Sequence, residues 1–111
     1  MKKFVFSLNH MLDYKSRILD EEQGVLLRLK GEQAQIQQKI DDLQAQFGEI
    51  SFRMQRSQEE GTTVMKLREL SMQLDNIRMQ LKELRVLLQK AADKVEKQTR
   101  VVVAANQEVS K

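Results

Sequence analysis

The chain has 111 residues, of which 32% are charged and 5% aromatic, with no Pro, Cys or Trp and a net charge of +3. The lack of Cys excludes a disulfide framework and thiolate chemistry, and a single His leaves no donor set for a structural zinc. About five prolines are usual at this length, so their absence points to long uninterrupted helices rather than a globular enzyme.

The chain begins Met1-Lys2-Lys3-Phe4-Val5-Phe6-Ser7-Leu8, and Asn9, His10, Asp13 and Lys15 follow at once. That apolar run is too short for a signal peptide. The longest later apolar stretch, Val101 to Ala105, is far below the roughly 20 residues of a membrane span. A soluble, cytoplasmic protein is the expectation.

The first predicted element is a helix over about residues 5–59. From Leu8, steps of four and three pass through Leu12, Lys15, Leu19, Glu22, Leu26, Leu29, Gln33, Ile36, Ile40, Leu43, Phe47, Ile50 and Met54. All but Lys15, Glu22 and Gln33 are apolar. An average step of 3.5 keeps one stripe facing a partner helix, which makes this a coiled-coil seam.

The seam breaks at Gln58-Glu59-Glu60-Gly61-Thr62-Thr63. Gly61 suits the left-handed conformation that ends a helix, and Thr62 or Thr63 suits the cap of the next. A turn over about 60–63 follows.

The second predicted helix spans about 64–110. Its seam runs through Leu67, Leu70, Leu74, Ile77, Leu81, Leu84, Leu88, Ala91, Val95, Gln98, Val102, Ala105 and Val109, with Gln98 the lone polar member. The predicted fold is all-α: residues 1–111 form a single antiparallel coiled-coil hairpin. In that register Met54 stands near Leu67, Phe47 near Leu74 and Leu12 beside Val109.

Apolar residues outside the seams mark candidate partner surfaces. Phe4, Met11, Ile18 and Val25 recur every seven residues, the last three one position before Leu12, Leu19 and Leu26, while Lys15 and Glu22 occupy the seam itself. The apolar face therefore widens and rotates near the N-terminus, beyond what two helices cover. A docking surface, self-association and packing on residues beyond Lys111 all fit this pattern. Tyr14 and Arg17 lie beside it as polar anchors. Met65, Met72, Met79 and Val86 form a second heptad-spaced stripe, opposite in phase to the Leu67 seam, and Met suits surfaces that adapt to partners. Leu87, Val101 and Val103 flank the second seam near its end. The open end of the hairpin is thus broad in apolar surface.

The charges fit solvated helix faces. Asp13–Arg17, Glu49–Arg53, Asp93–Lys97 and Glu96–Arg100 are spaced four apart with the acid first, the supportive order. Arg78, Lys82, Arg85, Lys90, Lys94 and Lys97 form a basic run that reads as a solvated face or as a contact for an acidic partner. It is too sparse for a nucleic-acid footprint. Gly24, Gly31 and Gly48 fall off the seam, where they are tolerated or allow bending or close approach.

No phosphate-binding, dinucleotide or metalloprotease motif is present, and Asp41 and Asp42 point apart on a helix. His10 with Asp13 and Tyr14 has no pocket to desolvate it. No catalytic residue, cofactor or metal site is expected, and function must come from binding surfaces.

The opening Lys3-Phe4-Val5-Phe6-Ser7-Leu8 and the following Met11-Leu12-Asp13-Tyr14-Lys15 resemble the start of the FliJ family of flagellar export proteins. The Gly61-Thr62-Thr63 turn with Leu67, Leu70 and Leu74 is similar to that family's mid-chain turn. The resemblance covers the whole chain. Members run longer, so the resemblance implies that a C-terminal segment of the family is absent here, and members often carry aromatics where this chain has Leu70 and Met72.

The resemblance implies a stalk-like antiparallel coiled coil of the cytoplasmic type III export apparatus. It implies docking of the terminus-bearing end into the hexameric flagellar export ATPase, contact with a membrane export-gate protein and with export chaperones, and a place at the inner face of the cell membrane. On the matching opening, Phe4, Phe6, Leu8, Met11 and Tyr14 fall on the ATPase side, with Arg17 and Ile18 beside them. Met65, Met72 and Met79 are the candidate gate or chaperone surface. A generic dimerisation or scaffold coiled coil is the alternative.

Overall fold

The computed structural model describes the backbone of residues 2–110 and the side chains of residues 8–110. It consists of α1, Lys2–Glu60, and α2, Val64–Ser110. The all-α antiparallel hairpin expected from the two seams is what the structure shows.

The turn forms as its residues dictate. Gly61 takes φ +84°, a region that costs an L side chain steric strain. Thr63 is the cap: its Oγ1 accepts the Lys66 amide at 3.2 Å, and its carbonyl accepts the Leu67 amide at 3.2 Å. One orphan donor of the first turn is thereby satisfied.

Two compact units divide the chain. The turn unit is Ala34–Gln89, and the termini unit joins Met1–Gln33 with Lys90–Lys111.

In the turn unit, Ile40 of α1 is buried against Ile77 and Leu81 of α2, with Ile40 only 3% exposed. Ile36, Leu43, Phe47, Ile50, Leu84 and Leu88 pack around them. Leu74 is also buried. These are all seam residues, so the 3.5-residue period alone accounts for this core. Arg78 lies over the Phe47 ring, 5.2 Å from its centroid, and bonds Asp75 at 3.2 Å.

In the termini unit the seam is thinner. Ala91 is its one buried hydrophobic among the described residues. Leu8 and Leu12 remain about half exposed. Polar seam positions are matched instead of being turned outward. Gln98 Nε2 donates to Glu22 Oε2 at 2.6 Å and to the Glu22 carbonyl at 2.9 Å. Lys15 Nζ lies 3.7 Å from Glu108 Oε2. Lys15 and Glu22 thus stay half-buried in the seam while Ile18 and Val25 are half-buried beside it. The apolar face widens here without the seam rotating away.

Candidate partner-binding surfaces

Heptad letters describe the surfaces compactly: seam positions are a and d, and position g precedes a. In the termini unit the g positions of α1 with described side chains are Met11, Ile18, Val25 and Glu32, and those of α2 are Lys94, Val101 and Glu108. Met11, Tyr14, Lys15 and Ile18 of α1 and Ala105 and Glu108 of α2 line one groove of about 320 Å³. Met11 is 52% exposed and Tyr14 65%, so the apolar wall of the groove faces solvent. Among the sequence-predicted residues, the structure brings Met11, Tyr14 and Ile18 together at this groove. Leu8 and Arg17 are exposed on the same unit. The side chains of Phe4 and Phe6 lie outside the described residues.

Met65, Met72, Met79 and Val86 occupy successive f positions of α2, the positions farthest from the seam. All four are exposed, Met65 most at 81%. They belong to the turn unit. The grooves of the turn unit have a different character. One of about 410 Å³ is lined by Lys39, Asp42, Gln46, Gln80 and Glu83 around Leu43, Leu84 and Leu87. Another, of about 400 Å³, presents Gln44, Arg78 and Arg85 beside Phe47. Polar side chains rim both.

Two features escaped the sequence pattern. Phe52 is exposed on the outer face of α1, with the Arg56 guanidinium 6.0 Å from its ring centroid. It has no heptad-repeated companion, and so no stripe pointed to it. The Glu22–Gln98 pair was legible in principle, since both are polar exceptions in their seams and the antiparallel register sets them opposite each other. Leu87, Val101 and Val103 are exposed, as expected of residues flanking the seam. A side chain at Gly24, Gly31 or Gly48 would meet nothing within 4 Å, so these positions lie on an open face.

The charged residues contribute local support. Glu49–Arg53 and Glu96–Arg100 form ion pairs at 3.2 and 2.7 Å along their helices. Among the described residues, no group of three His, Asp or Glu side chains converges to hold a metal ion. Asp13, Tyr14 and His10 are all exposed, without the desolvation that acid–base chemistry needs. No helix of the described residues is long and apolar enough to cross a membrane.

The model of one protein family, the flagellar FliJ protein, matches residues 4–111. The chain belongs to the FliJ family. Membership makes it a component of the flagellar protein export apparatus. Comparisons with curated proteins and with solved structures give no match. The family match spans both helices, the turn, the Met11–Ile18 groove and the Met stripe.

Proposed function

We propose that this FliJ-family chain is a stalk-like coiled coil in which residues 1–111 act as a single hairpin, docking through the termini unit into the hexameric flagellar export ATPase. The observation that carries this reading is the groove of Met11, Tyr14 and Ile18, an apolar surface left open on a unit whose seam is only thinly packed. Phe4, Phe6, Leu8 and Arg17 extend the docking side. Met65, Met72 and Met79 meet the membrane export-gate protein or the export chaperones, using the adaptability of Met side chains. On this reading the protein works in type III flagellar export at the cytoplasmic face of the membrane, attached peripherally through the gate. It takes no cofactor and no nucleic acid, and cells without it lose flagella and with them chemotaxis.

The test is ATP hydrolysis by the cognate export ATPase with and without the purified chain. Stimulation by the native chain, lost when Phe4, Met11 and Tyr14 are replaced by Ala, supports the assignment. Full stimulation by a helical triple variant overturns the Met11 face as the docking surface, and no stimulation by the native chain overturns the ATPase reading.

The exposed Met stripe favours a second reading, a scaffold coiled coil that dimerises through α2. Sedimentation at low micromolar concentration separates the two. A tight dimer dispersed by Met72→Glu supports the scaffold, and a monomer removes it.

A further inference from the structure

We propose that the Met stripe of α2 pairs with the same stripe on a second copy of this chain, the two α2 helices lying parallel and in register. This deepens the reading of the stripe as a contact surface and rests on it. A gate protein or chaperone that takes the stripe then has to displace a second copy.

Met65, Met72, Met79 and Val86 are exposed f positions of one continuous helix, and all lie in the turn unit. The f positions that follow, Asp93 and Arg100, are charged, so the apolar stripe has a definite end. Position f is flanked by b on one side and c on the other. The b edge runs Arg68, Asp75, Lys82 and Gln89. The c edge runs Glu69, Asn76, Glu83 and Lys90, and all eight residues are exposed. Three of them are basic and three acidic, so a partner surface of one sign meets as much repulsion as attraction. The occupant has to alternate in sign as the stripe does.

A second copy does so in one orientation. When two such helices run parallel, the b edge of one faces the c edge of the other at the same height. Arg68 then meets Glu69 of the copy and Lys82 meets Glu83, each twice by symmetry. Asp75 meets Asn76 and Gln89 meets Lys90, so no like charges oppose one another. Each apolar side chain meets its own counterpart. One step further out, at e and g, Arg78 and Arg85 face Gln80 and Leu87, and Lys66 faces Val64.

An antiparallel pair sets b against b and c against c. The register that matches all four apolar residues then opposes Arg68 to Lys82, Asp75 to Asp75 and Glu69 to Glu83. Shifting it by one heptad relieves these contacts, but either puts Met65 on Asp93 or leaves Val86 beyond the start of the other α2 at Val64. Arg68, Lys82 and Glu83 have no opposite charge three or four positions away on α2. The parallel pair supplies the complement that the helix itself lacks.

The chain has no Cys, so single cysteines report the direction. Full-length Met72→Cys and Met79→Cys are oxidised with oxidised glutathione, alone and mixed, and read on non-reducing gels. Gln38→Cys, on the exposed outer face of α1, controls for chance collision. Both stripe variants are expected to crosslink alone and faster than the control. Crosslinking of only one of them, crosslinking only in the mixture, or no excess over the control overturns the proposal. The patch is small, so a dissociation constant on the order of tens of micromolar is expected, weaker than a scaffold dimer. Sedimentation equilibrium of a native chain that stays monomeric at about 0.5 mM also overturns it. Glu69→Lys with Glu83→Lys makes the rims basic, and Arg68→Glu with Lys82→Glu makes them acidic. Each double variant is expected to pair about tenfold more weakly, and an equal mixture of the two to regain pairing. Unchanged pairing of both double variants overturns the charge-set register. The reading of the stripe as a contact surface for the export machinery fails by a different measurement, unchanged binding of the gate protein and the chaperones by Met72→Glu.

Discussion

The termini unit and the turn unit are built from the same two helices and the same heptad period, yet they use it differently. The turn unit buries Ile40, Leu74, Ile77 and Leu81, whereas the termini unit buries Ala91 and fills other seam positions with Glu22, Gln98 and Lys15. Outside the seam both units expose large apolar side chains, the turn unit along the Met65–Val86 stripe and the termini unit beside its groove. The termini unit carries apolar g residues around the Met11 groove, and the grooves of the turn unit are rimmed by polar side chains. What distinguishes the termini unit is that its thinly packed seam adjoins an apolar groove wall open to solvent. A unit that gives up internal packing in this way keeps its partner surface open at the cost of local stability.

The most severe way to break this comparison is to cut the packed seam. Ile77→Ala removes a buried branched side chain from the Ile40–Leu81 cluster, at a cost of about 2–5 kcal/mol. Leu19→Ala, at a half-buried position of the termini unit, costs about half as much, since less area leaves water contact on folding. Urea unfolding followed by circular dichroism measures both. Equal losses would mean that the two seams are equally packed.

The polar seam supplies a sharper probe. Gln98→Leu leaves the half-buried Glu22 carboxylate without the Nε2 donor that it and its own carbonyl share, a loss of about 1–3 kcal/mol. Glu22→Leu combined with Gln98→Leu removes both polar partners and completes the heptad, so the double variant is expected to match or exceed the native chain. A double-mutant cycle in urea checks the coupling. Additive losses from the two single substitutions would show that the hydrogen bond contributes nothing.

The turn is the third place to test, with an effect near 1 kcal/mol. Gly61→Ala forces a Cβ into φ +84°, costing about 1–2 kcal/mol. Thr63→Ala removes the cap on the Lys66 amide, costing about 1 kcal/mol. Thermal midpoints read both, and Gly61→Asn should be milder because Asn tolerates the left-handed region.

These sites differ in how far sequence reveals them. The two seams and the turn are plain because each rests on one-dimensional signals: a 3.5-residue period, a Gly and a hydroxyl. The Met stripe and the Met11–Val25 repeat were visible for the same reason. What periodicity does not carry is pairing between distant positions. Glu22 and Lys15 read as interruptions that turn the face aside until Gln98 and Glu108 are set opposite them. Phe52 has no repeat at all, so its exposure and its contact with Arg56 emerge only in three dimensions.

The smallest expected effect isolates what Lys15 does at its seam position. Its ammonium lies 3.7 Å from the Glu108 carboxylate, with side-chain exposures of 32% and 53%. Water screens a pair this open, and holding two long side chains together costs entropy, so the ion pair stabilises by about 0.2–1 kcal/mol. The aliphatic stem of Lys15 contributes separately, lying along the seam while its charged end reaches outward. The two contributions part in salt. Glu108→Gln removes only the charge pairing, and its small loss in thermal midpoint should vanish near 1 M salt, where the screening length is about 3 Å. Lys15→Ala removes the stem as well, and part of its loss should persist at that salt. If both losses vanish together, Lys15 serves the seam only as a charge. If neither responds to salt, the contact with Glu108 is incidental, and the termini unit is held at this position by apolar cover alone.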